Sequence, residues 1–93
     1  MNFLGFNTHI VASNSMVPEF MAGDIAITYT TDFDSIQVGD IITYLDDGNI
    51  IIHRVISKTD SYIKTKGDNN PTEDVVLIDR QNYMGKVVYH TKF

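Results

Sequence analysis

The chain has 93 residues, 43% of them hydrophobic, and no cysteine. This length suits one domain with its own core, the apolar content is too high for a disordered segment, and the lack of cysteine excludes disulfides and thiolate metal sites. The formal net charge of −5 argues against a nucleic-acid partner, because binding to a phosphate backbone needs clustered lysine and arginine.

Short runs rich in β-branched and aromatic residues, separated by turn residues, predict strands along most of the chain. In chain order the predicted strands are His9–Ala12, Asp24–Tyr29, Asp40–Leu45, Asn49–Ser57, Ser61–Lys66 and Tyr83–His90. Thr30–Gln37 is predicted to be a loop, and Val75–Ile78 is a short apolar segment. The residues Asp46–Asn49 predict a tight hairpin, because Asp, Gly and Asn tolerate positive φ. We therefore expect a mainly β protein, a compact antiparallel sheet or partly open barrel, forming a single domain over residues 1–93.

The segment Ser13–Pro18 places two hydroxyl groups two residues apart, shortly before a proline. Proline has a fixed φ and pushes Val17 towards an extended conformation, so we expect Ser15 to lie on a stiff turn. A rigidly held serine can be a nucleophile when a general base lies within hydrogen-bond reach. The alternative is that these are ordinary polar loop residues.

His53 is the strongest candidate for such a base. Alternate side chains of a strand share a face, so His53 is predicted to lie on the same face as Ile51 and Val55. The competing interpretation is a core histidine whose ring nitrogens are satisfied by structural hydrogen bonds. His9 and His90 lie near the ends of the chain and are weaker candidates.

A histidine base also needs a carboxylate on its far nitrogen, and the loop Gly67–Asp74 carries three acidic residues. Taken alone, Asp68 and Asn70 could be turn residues that bond their own backbone. A calcium site is disfavoured, because the Asp-x-Asn spacing that begins at Asp68 is not followed by the glycine and the distal bidentate glutamate of an EF-hand. We expect no metal and no cofactor.

Five short motifs follow one another along the chain: Ser-x-Ser-Met-x-Pro, Gly-Asp before a strand, Val-Gly-Asp-Ile-Ile-Thr-Tyr, His-Arg-Val and Lys-Gly-Asp-Asn-Asn. In this order they resemble the type I signal peptidase family, over about Val11 to Asp74. The resemblance implies a mainly antiparallel β catalytic domain that lies beside a membrane and cleaves signal peptides after small residues. Common bacterial members have a lysine base where this chain has His53. His-Arg-Val is similar instead to the branch found in the endoplasmic reticulum, the archaea and some Gram-positive spore-formers.

Residue by residue, the resemblance implies that Ser15 is the nucleophile and His53 the general base. Asp74 would orient His53, and Asp68 would be essential to the site or interchangeable with Asp74. The main-chain N–H of Ser15 and the hydroxyl of Ser13 would stabilise the oxyanion. Two positions depart from the family pattern: Val17 stands where an acid is frequent, and Asn14 where glycine is frequent.

The resemblance also implies two kinds of partner. One is the signal peptides of preproteins, and the other is a membrane, because family members are anchored close to the serine. No apolar run in the chain approaches the roughly 18 residues that span a bilayer. We therefore expect an excised domain that is soluble as given, extracytoplasmic in the full-length protein, with Met1 to Thr8 as the stub of an absent anchor. A naturally anchorless relative is the alternative.

Two rival functions stay open. The self-cleaving repressor-type peptidases share a serine-containing β domain but use a lysine base, and Lys58, Lys64 and Lys66 lack the surrounding motif. A signal-peptidase-like scaffold could also act without catalysis, as an assembly factor or chaperone for surface fibres.

For the peptidase we expect an extended substrate beside the strand His9–Ala12. Cleavage should fall on acidification through about pH 6.5, where an ordinary imidazole becomes charged.

Overall fold

Seven antiparallel strands form one continuous sheet in the computed structural model, which describes residues 2–92 and the side chains of residues 4–92. The strands are β1 Asn2–Phe3, β2 Phe6–Ile10, β3 Ile25–Tyr29, β4 Ile41–Asp46, β5 Asn49–Lys58, β6 Ile63–Lys66 and β7 Tyr83–His90. Their order across the sheet is β1-β2-β3-β7-β4-β5-β6. Within residues 2–92 the two edge strands do not pair with each other, so the predicted antiparallel sheet is confirmed and stays open.

Most of the predicted strands agree with the structure, and one is displaced along the chain. The predicted strand His9–Ala12 is displaced to Phe6–Ile10, because β3 pairs with that segment along its whole length. The segment Val75–Ile78 forms only a single bridge, between Ile78 and Ile63. Of the suggested anchor stub, Met1 lies outside the described residues, whereas residues 2–8 belong to the β1–β2 hairpin.

Two buried clusters lie on opposite faces of the sheet. We call them the Tyr44 cluster (Phe33, Ile36, Ile42, Tyr44, Val55, Ile63 and Ile78) and the Phe20 cluster (Val11, Met16, Phe20, Ala26 and Ile41). Ile41 and Ile42 are neighbours on β4 and belong to different clusters, as expected for side chains that alternate across a strand. The segment after β2 therefore covers one face. A short 3₁₀ helix, Phe33–Ser35, which forms inside the predicted loop, helps to cover the other.

Two similar turns brace the strands that lead to the candidate site. In Gly23–Asp24 and Gly39–Asp40 the glycines have φ values of 93° and 98°, and each aspartate carboxylate accepts a bond from the N–H three residues earlier, at 2.8 and 2.9 Å. The first turn exchanges backbone hydrogen bonds of 2.8 and 2.9 Å with Val11, and the second does the same with Val55. Val11 and Val55 each lie two residues from a predicted site residue, so these bonds fix the backbone close to Ser13 and His53.

No helix within residues 2–92 has the length and apolar content needed to cross a membrane.

Candidate active site

Ser15 begins a compact turn, as its sequence context predicts. The N–H of Glu19 donates to the carbonyl of Met16 at 2.8 Å. Met16 and Phe20 are each only 1% exposed and anchor both ends of the turn in the Phe20 cluster. The backbone of Ser15 is therefore held by the packing of its neighbours, while its own side chain stays partly accessible.

The loop after β6 holds the carbonyl group of Ser15 by a hydrogen bond and by close packing. The N–H of Asn69 donates to the oxygen of Ser15 at 2.8 Å, and the Asn69 side chain donates to the carbonyl of Asn14 at 3.2 Å. Gly67 passes so close that a Cβ there would lie 2.8 Å from the Ser15 oxygen. The glycine of the Lys-Gly-Asp-Asn-Asn motif thus permits two backbone segments to pack in direct contact.

His53 joins the serine to a carboxylate. Its Nε2 lies 3.0 Å from Oγ of Ser15, and its Nδ1 lies 2.5 Å from Oδ2 of Asp74. An ionised carboxylate can only accept, so Nδ1 carries the proton and Nε2 presents a lone pair to the serine hydroxyl. The side chains of His53 and Asp74 are 11% and 16% exposed.

Asp74 stays ionised in spite of its burial. Burial acts to raise the pKa of Asp74, but hydrogen bonds from His53, Thr65 and Tyr44, together with the charge attraction of the imidazole, lower the pKa below its ordinary value. The donors Thr65 Oγ1 and Tyr44 OH lie 2.6 and 2.9 Å from the same Oδ2 atom. The carboxylate therefore has the charge state that a histidine base requires.

Tyr44 and Thr65 were not identified from the sequence, although the predicted hairpin contained a signal for the first. A turn at residues 47–48 pairs Tyr44 with Ile51, which makes Tyr44 a diagonal neighbour of His53 on the same face. Burial raises the pKa of the Tyr44 phenol, so Tyr44 is neutral and donates its proton to Asp74.

Asp68 binds a different partner. Its two oxygens accept from Nε and Nη2 of Arg54 at 2.9 and 2.8 Å, and the same Nη2 donates to Glu19 at 2.9 Å. The motif left two carboxylates available for His53. Asp74 contacts the imidazole, whereas Asp68 binds Arg54 of β5, which in turn binds Glu19 of the serine turn.

The remaining histidines lie elsewhere. His9 Nε2 is 3.2 Å from Oγ1 of Thr28, and burial lowers the pKa of His9. His90 contacts Glu19 through Nε2 at 2.9 Å and packs edge-on against Phe20. Within the described part of the chain, neither ring is hydrogen-bonded to the candidate serine.

The three lysines considered for a lysine-dependent peptidase also have other partners. Lys58 donates from Nζ to three backbone carbonyls around the 3₁₀ helix, those of Phe33, Asp34 and Ile36. Lys64 pairs with Glu73 at 3.0 Å, and Lys66 donates to the carbonyl of Gly67 at 3.0 Å. None of these three amines is hydrogen-bonded to Ser15 in the described residues.

The two predicted oxyanion donors lie beside each other. Oγ of Ser13 donates to Oγ of Ser15 at 3.2 Å, and the N–H of Ser15 points to Oγ of Ser13 at a long 3.5 Å. Both groups therefore lie next to the hydroxyl of Ser15.

A groove of about 650 Å³ runs past the serine and the histidine. Residues 8–13 line one wall, residues 49–53 line the other, and Met16 and Phe20 lie at its base. Strand β1 pairs only with the first two residues of β2, and β6 pairs with β5 only from Arg54 onward. Within residues 2–92, both walls of the groove therefore have a strand edge without a partner strand.

No group of three or more histidine, aspartate or glutamate side chains in the described residues is arranged to hold a metal ion.

Comparison with protein families matches residues 8–88 to the family described as Peptidase S24-like. The chain belongs to this family. It is 37% identical over 84 residues to signal peptidase I W of Bacillus subtilis strain 168, and the match covers 84% of this chain and 44% of that protein. It is 38% identical over 84 residues to the signal peptidase complex catalytic subunit SEC11 of Clavispora lusitaniae, covering 83% and 50%. The SEC11 subunit of Komagataella phaffii is 35% identical over 89 residues, covering 83% and 52%.

The S24-like chain spans about half the length of the curated relatives it matches. The resemblance to signal peptidases indicated by the five motifs is confirmed by these matches.

Proposed function

We propose that this chain is the catalytic domain of a serine endopeptidase that removes signal peptides from exported preproteins after small residues. The observation that carries the proposal is the continuous line of hydrogen bonds from Ser15 through His53 to Asp74, at 3.0 and 2.5 Å, in which Ser15 and His53 line a groove. The substrate class is supported by relatives that are named signal peptidases.

The geometry suits acyl transfer by a serine. His53 would take the hydroxyl proton of Ser15 through Nε2 as Oγ attacks the scissile carbonyl, and Asp74 would stabilise the imidazolium that forms. The same proton would then pass to the leaving amine. Water, deprotonated by His53, would release the acyl group in a second round of the same chemistry.

Ser13 and the N–H of Ser15 would hold the oxyanion. A substrate carbonyl oxygen near both groups would replace the long 3.5 Å contact that they make with each other. A preorganised donor of this kind is worth about 2.7–4 kcal/mol of transition-state stabilisation. Loss of the Ser13 hydroxyl should therefore slow cleavage without abolishing it.

An extended peptide would bind between the two walls of the groove. The partnerless strand edges at residues 8–10 and 49–52 offer main-chain hydrogen-bonding groups to such a peptide. Met16 and Phe20 are each 1% exposed and line the groove with Ser15, where they would form shallow apolar pockets for the side chains next to the scissile bond. Pockets of this kind would favour small residues at the cleavage site. We further propose that the full-length protein works beside a membrane with this domain outside the cytoplasm, as the resemblance to signal peptidases implies.

Cleavage of a purified preprotein in detergent micelles tests the proposal. Ser15→Ala and His53→Ala should each reduce the rate by a factor on the order of 10⁴ or more, as for other serine peptidases. Ser57→Ala, which alters an exposed serine at the far end of β5, should leave the rate unchanged.

The outcome also separates the rival functions. A chaperone would assist its client equally well with alanine in place of Ser15, and a lysine-dependent peptidase would tolerate the loss of the His53 ring. Cleavage by Ser15→Ala at the normal rate would refute the proposed function.

A further inference from the structure

One oxygen atom of Asp74 receives three hydrogen bonds. Its Oδ2 accepts from Nδ1 of His53 at 2.5 Å, from Oγ1 of Thr65 at 2.6 Å and from the hydroxyl of Tyr44 at 2.9 Å. The donors come from the three neighbouring strands β5, β6 and β4. The carboxylate is therefore held from both sides of the histidine as well as by the histidine itself.

The register of the sheet explains this convergence. Tyr44 pairs with Ile51 on one side of β5, and Thr65 pairs with Val55 on the other. Both are thus diagonal neighbours of His53 on its own face. The Tyr44 ring lies edge-on to the imidazole, with 6.5 Å between ring centroids.

Both hydroxyl groups use Asp74 as their acceptor. Tyr44 is 2% exposed and Thr65 is fully buried, so water has little access to either side chain. A buried hydroxyl left without a partner is costly, and donation to an ionised oxygen is stronger than donation to a neutral one. The backbone adds a further link, because the N–H of Asp74 donates to the carbonyl of Thr65 at 2.8 Å.

We propose that Tyr44 and Thr65 are positioning residues of the active site, which act through Asp74. Their hydroxyls hold Oδ2 opposite Nδ1 of His53 and keep the carboxylate ionised, so that Nε2 presents its lone pair to Ser15. This inference rests on the proposed function for its consequence in catalysis, but its direct consequence for Asp74 does not require catalysis.

The physical argument is a balance between burial and hydrogen bonding. Burial alone acts to raise the pKa of Asp74, and a protonated Asp74 would no longer require the proton of His53 to be on Nδ1. The bonds from His53, Thr65 and Tyr44 reverse that effect. Removal of either hydroxyl takes away one stabilising donor and leaves the burial unchanged, so Asp74 should be protonated at higher pH.

Tyr44→Phe and Thr65→Val remove one hydroxyl each and nearly preserve the shape of the side chain. Thr65→Ser keeps the hydroxyl and serves as the rescue variant. Tyr62→Phe is the matched control for the tyrosine, because Tyr62 is 48% exposed and lies away from the site. Thermal unfolding of each variant shows whether the fold is retained.

The first measurement is a carboxylate carbon NMR titration in which the Asp74 signal is assigned by its absence in Asp74→Asn. The midpoint should move to higher pH in Tyr44→Phe and in Thr65→Val, and stay in place in Thr65→Ser and Tyr62→Phe. A purely structural role would lower thermal stability without moving this midpoint. An unmoved midpoint in both folded variants would overturn the inference.

The second measurement is preprotein cleavage by the same variants. We expect kcat to fall about tenfold in Tyr44→Phe and in Thr65→Val, with little change in KM, as for the loss of one bond to a charged group. Combined with Asp74→Asn, neither substitution should reduce kcat further. Normal kcat in both single variants would contradict the positioning role. If Ser15→Ala still cleaves, the proposed function fails, and the Asp74 titration continues to decide this inference by itself.

Discussion

A methyl group at Gly67 would test whether close packing behind Ser15 positions the serine. A Cβ at this position would lie 2.8 Å from the carbonyl oxygen of Ser15 and 2.7 Å from Nδ2 of Asn70. The asparagine side chain can rotate away, but the carbonyl belongs to the turn that carries the serine. Gly67→Ala should therefore displace that turn towards the groove.

The contact distances give the size of the effect. Ordinary contact begins near 3.4 Å, so the Ser15 carbonyl must move by about 0.6 Å from its place at 2.8 Å. Overpacking of this kind costs about 1–3 kcal/mol of unfolding free energy, and each kcal/mol lowers Tm by roughly 4–8 °C in a domain of this size. A misplacement of about 1 Å costs on the order of a hundredfold in rate, so we expect kcat to fall by about tenfold or more.

The assay is preprotein cleavage, with Tm measured on the same samples. Gly85→Ala is a matched control, because a Cβ there would lie 3.1 Å from the carbonyl of Tyr29 in the middle of the sheet. It should lower Tm and leave kcat of the folded protein unchanged. The double variant Gly67→Ala with Asn70→Ala removes the side-chain clash and should remain slow.

Normal kcat in Gly67→Ala would refute this reasoning, since the serine would then tolerate displacement of its own carbonyl. An equal loss of kcat in Gly85→Ala would also refute it, because the effect would then follow from general destabilisation.

Two further predictions concern the acidic residues. Asp74→Asn replaces an acceptor of the His53 proton by an amide and should lower kcat by about 10⁴-fold. Asp68→Asn weakens the link to Arg54 and should cost about 1–3 kcal/mol of unfolding free energy, with a much smaller loss of rate. Equal losses of rate in the two variants would contradict the geometry. Because the folded-state pKa of Asp74 lies below its unfolded value near 3.9, ionised Asp74 stabilises the fold above that pH, and this contribution disappears as the pH falls through the lower folded-state pKa. Urea unfolding from pH 7 to pH 3 should show a shallower acid loss for Asp74→Asn than for the unmodified chain, and parallel curves would count against the depressed pKa.

Local patterns predict strands well where a turn adjoins the strand. The strand Tyr83–His90 agrees with its predicted bounds, and the hairpin at residues 47–48 sets the register of β4 against β5. The predicted strand His9–Ala12 is displaced because its bounds depend on pairing with β3, which is remote in sequence. Val11 is still paired through its backbone, but with a turn and not with a strand.

The candidate site, like the strands, could be predicted only in part from the sequence. The motifs led to Ser15 and His53, and the structure brings their side chains together, although their catalytic roles stay predictions. The choice between Asp68 and Asp74 depends on the path of the loop after Gly67, and residue spacing does not encode that path. In the structure both oxygens of Asp68 bind Arg54, and Asp74 is the carboxylate that contacts His53.

The order of the strands places the two ends of the candidate site near opposite borders of the sheet. Ser15 follows β2, near one border of the sheet, whereas Asp74 follows β6, which forms the opposite border. Fraying at either border, or a protease cut there, would separate the alcohol from the acid while the central strands remained intact. Loss of turnover should then be the earliest sign of damage to this protein, ahead of any change in its bulk β signal.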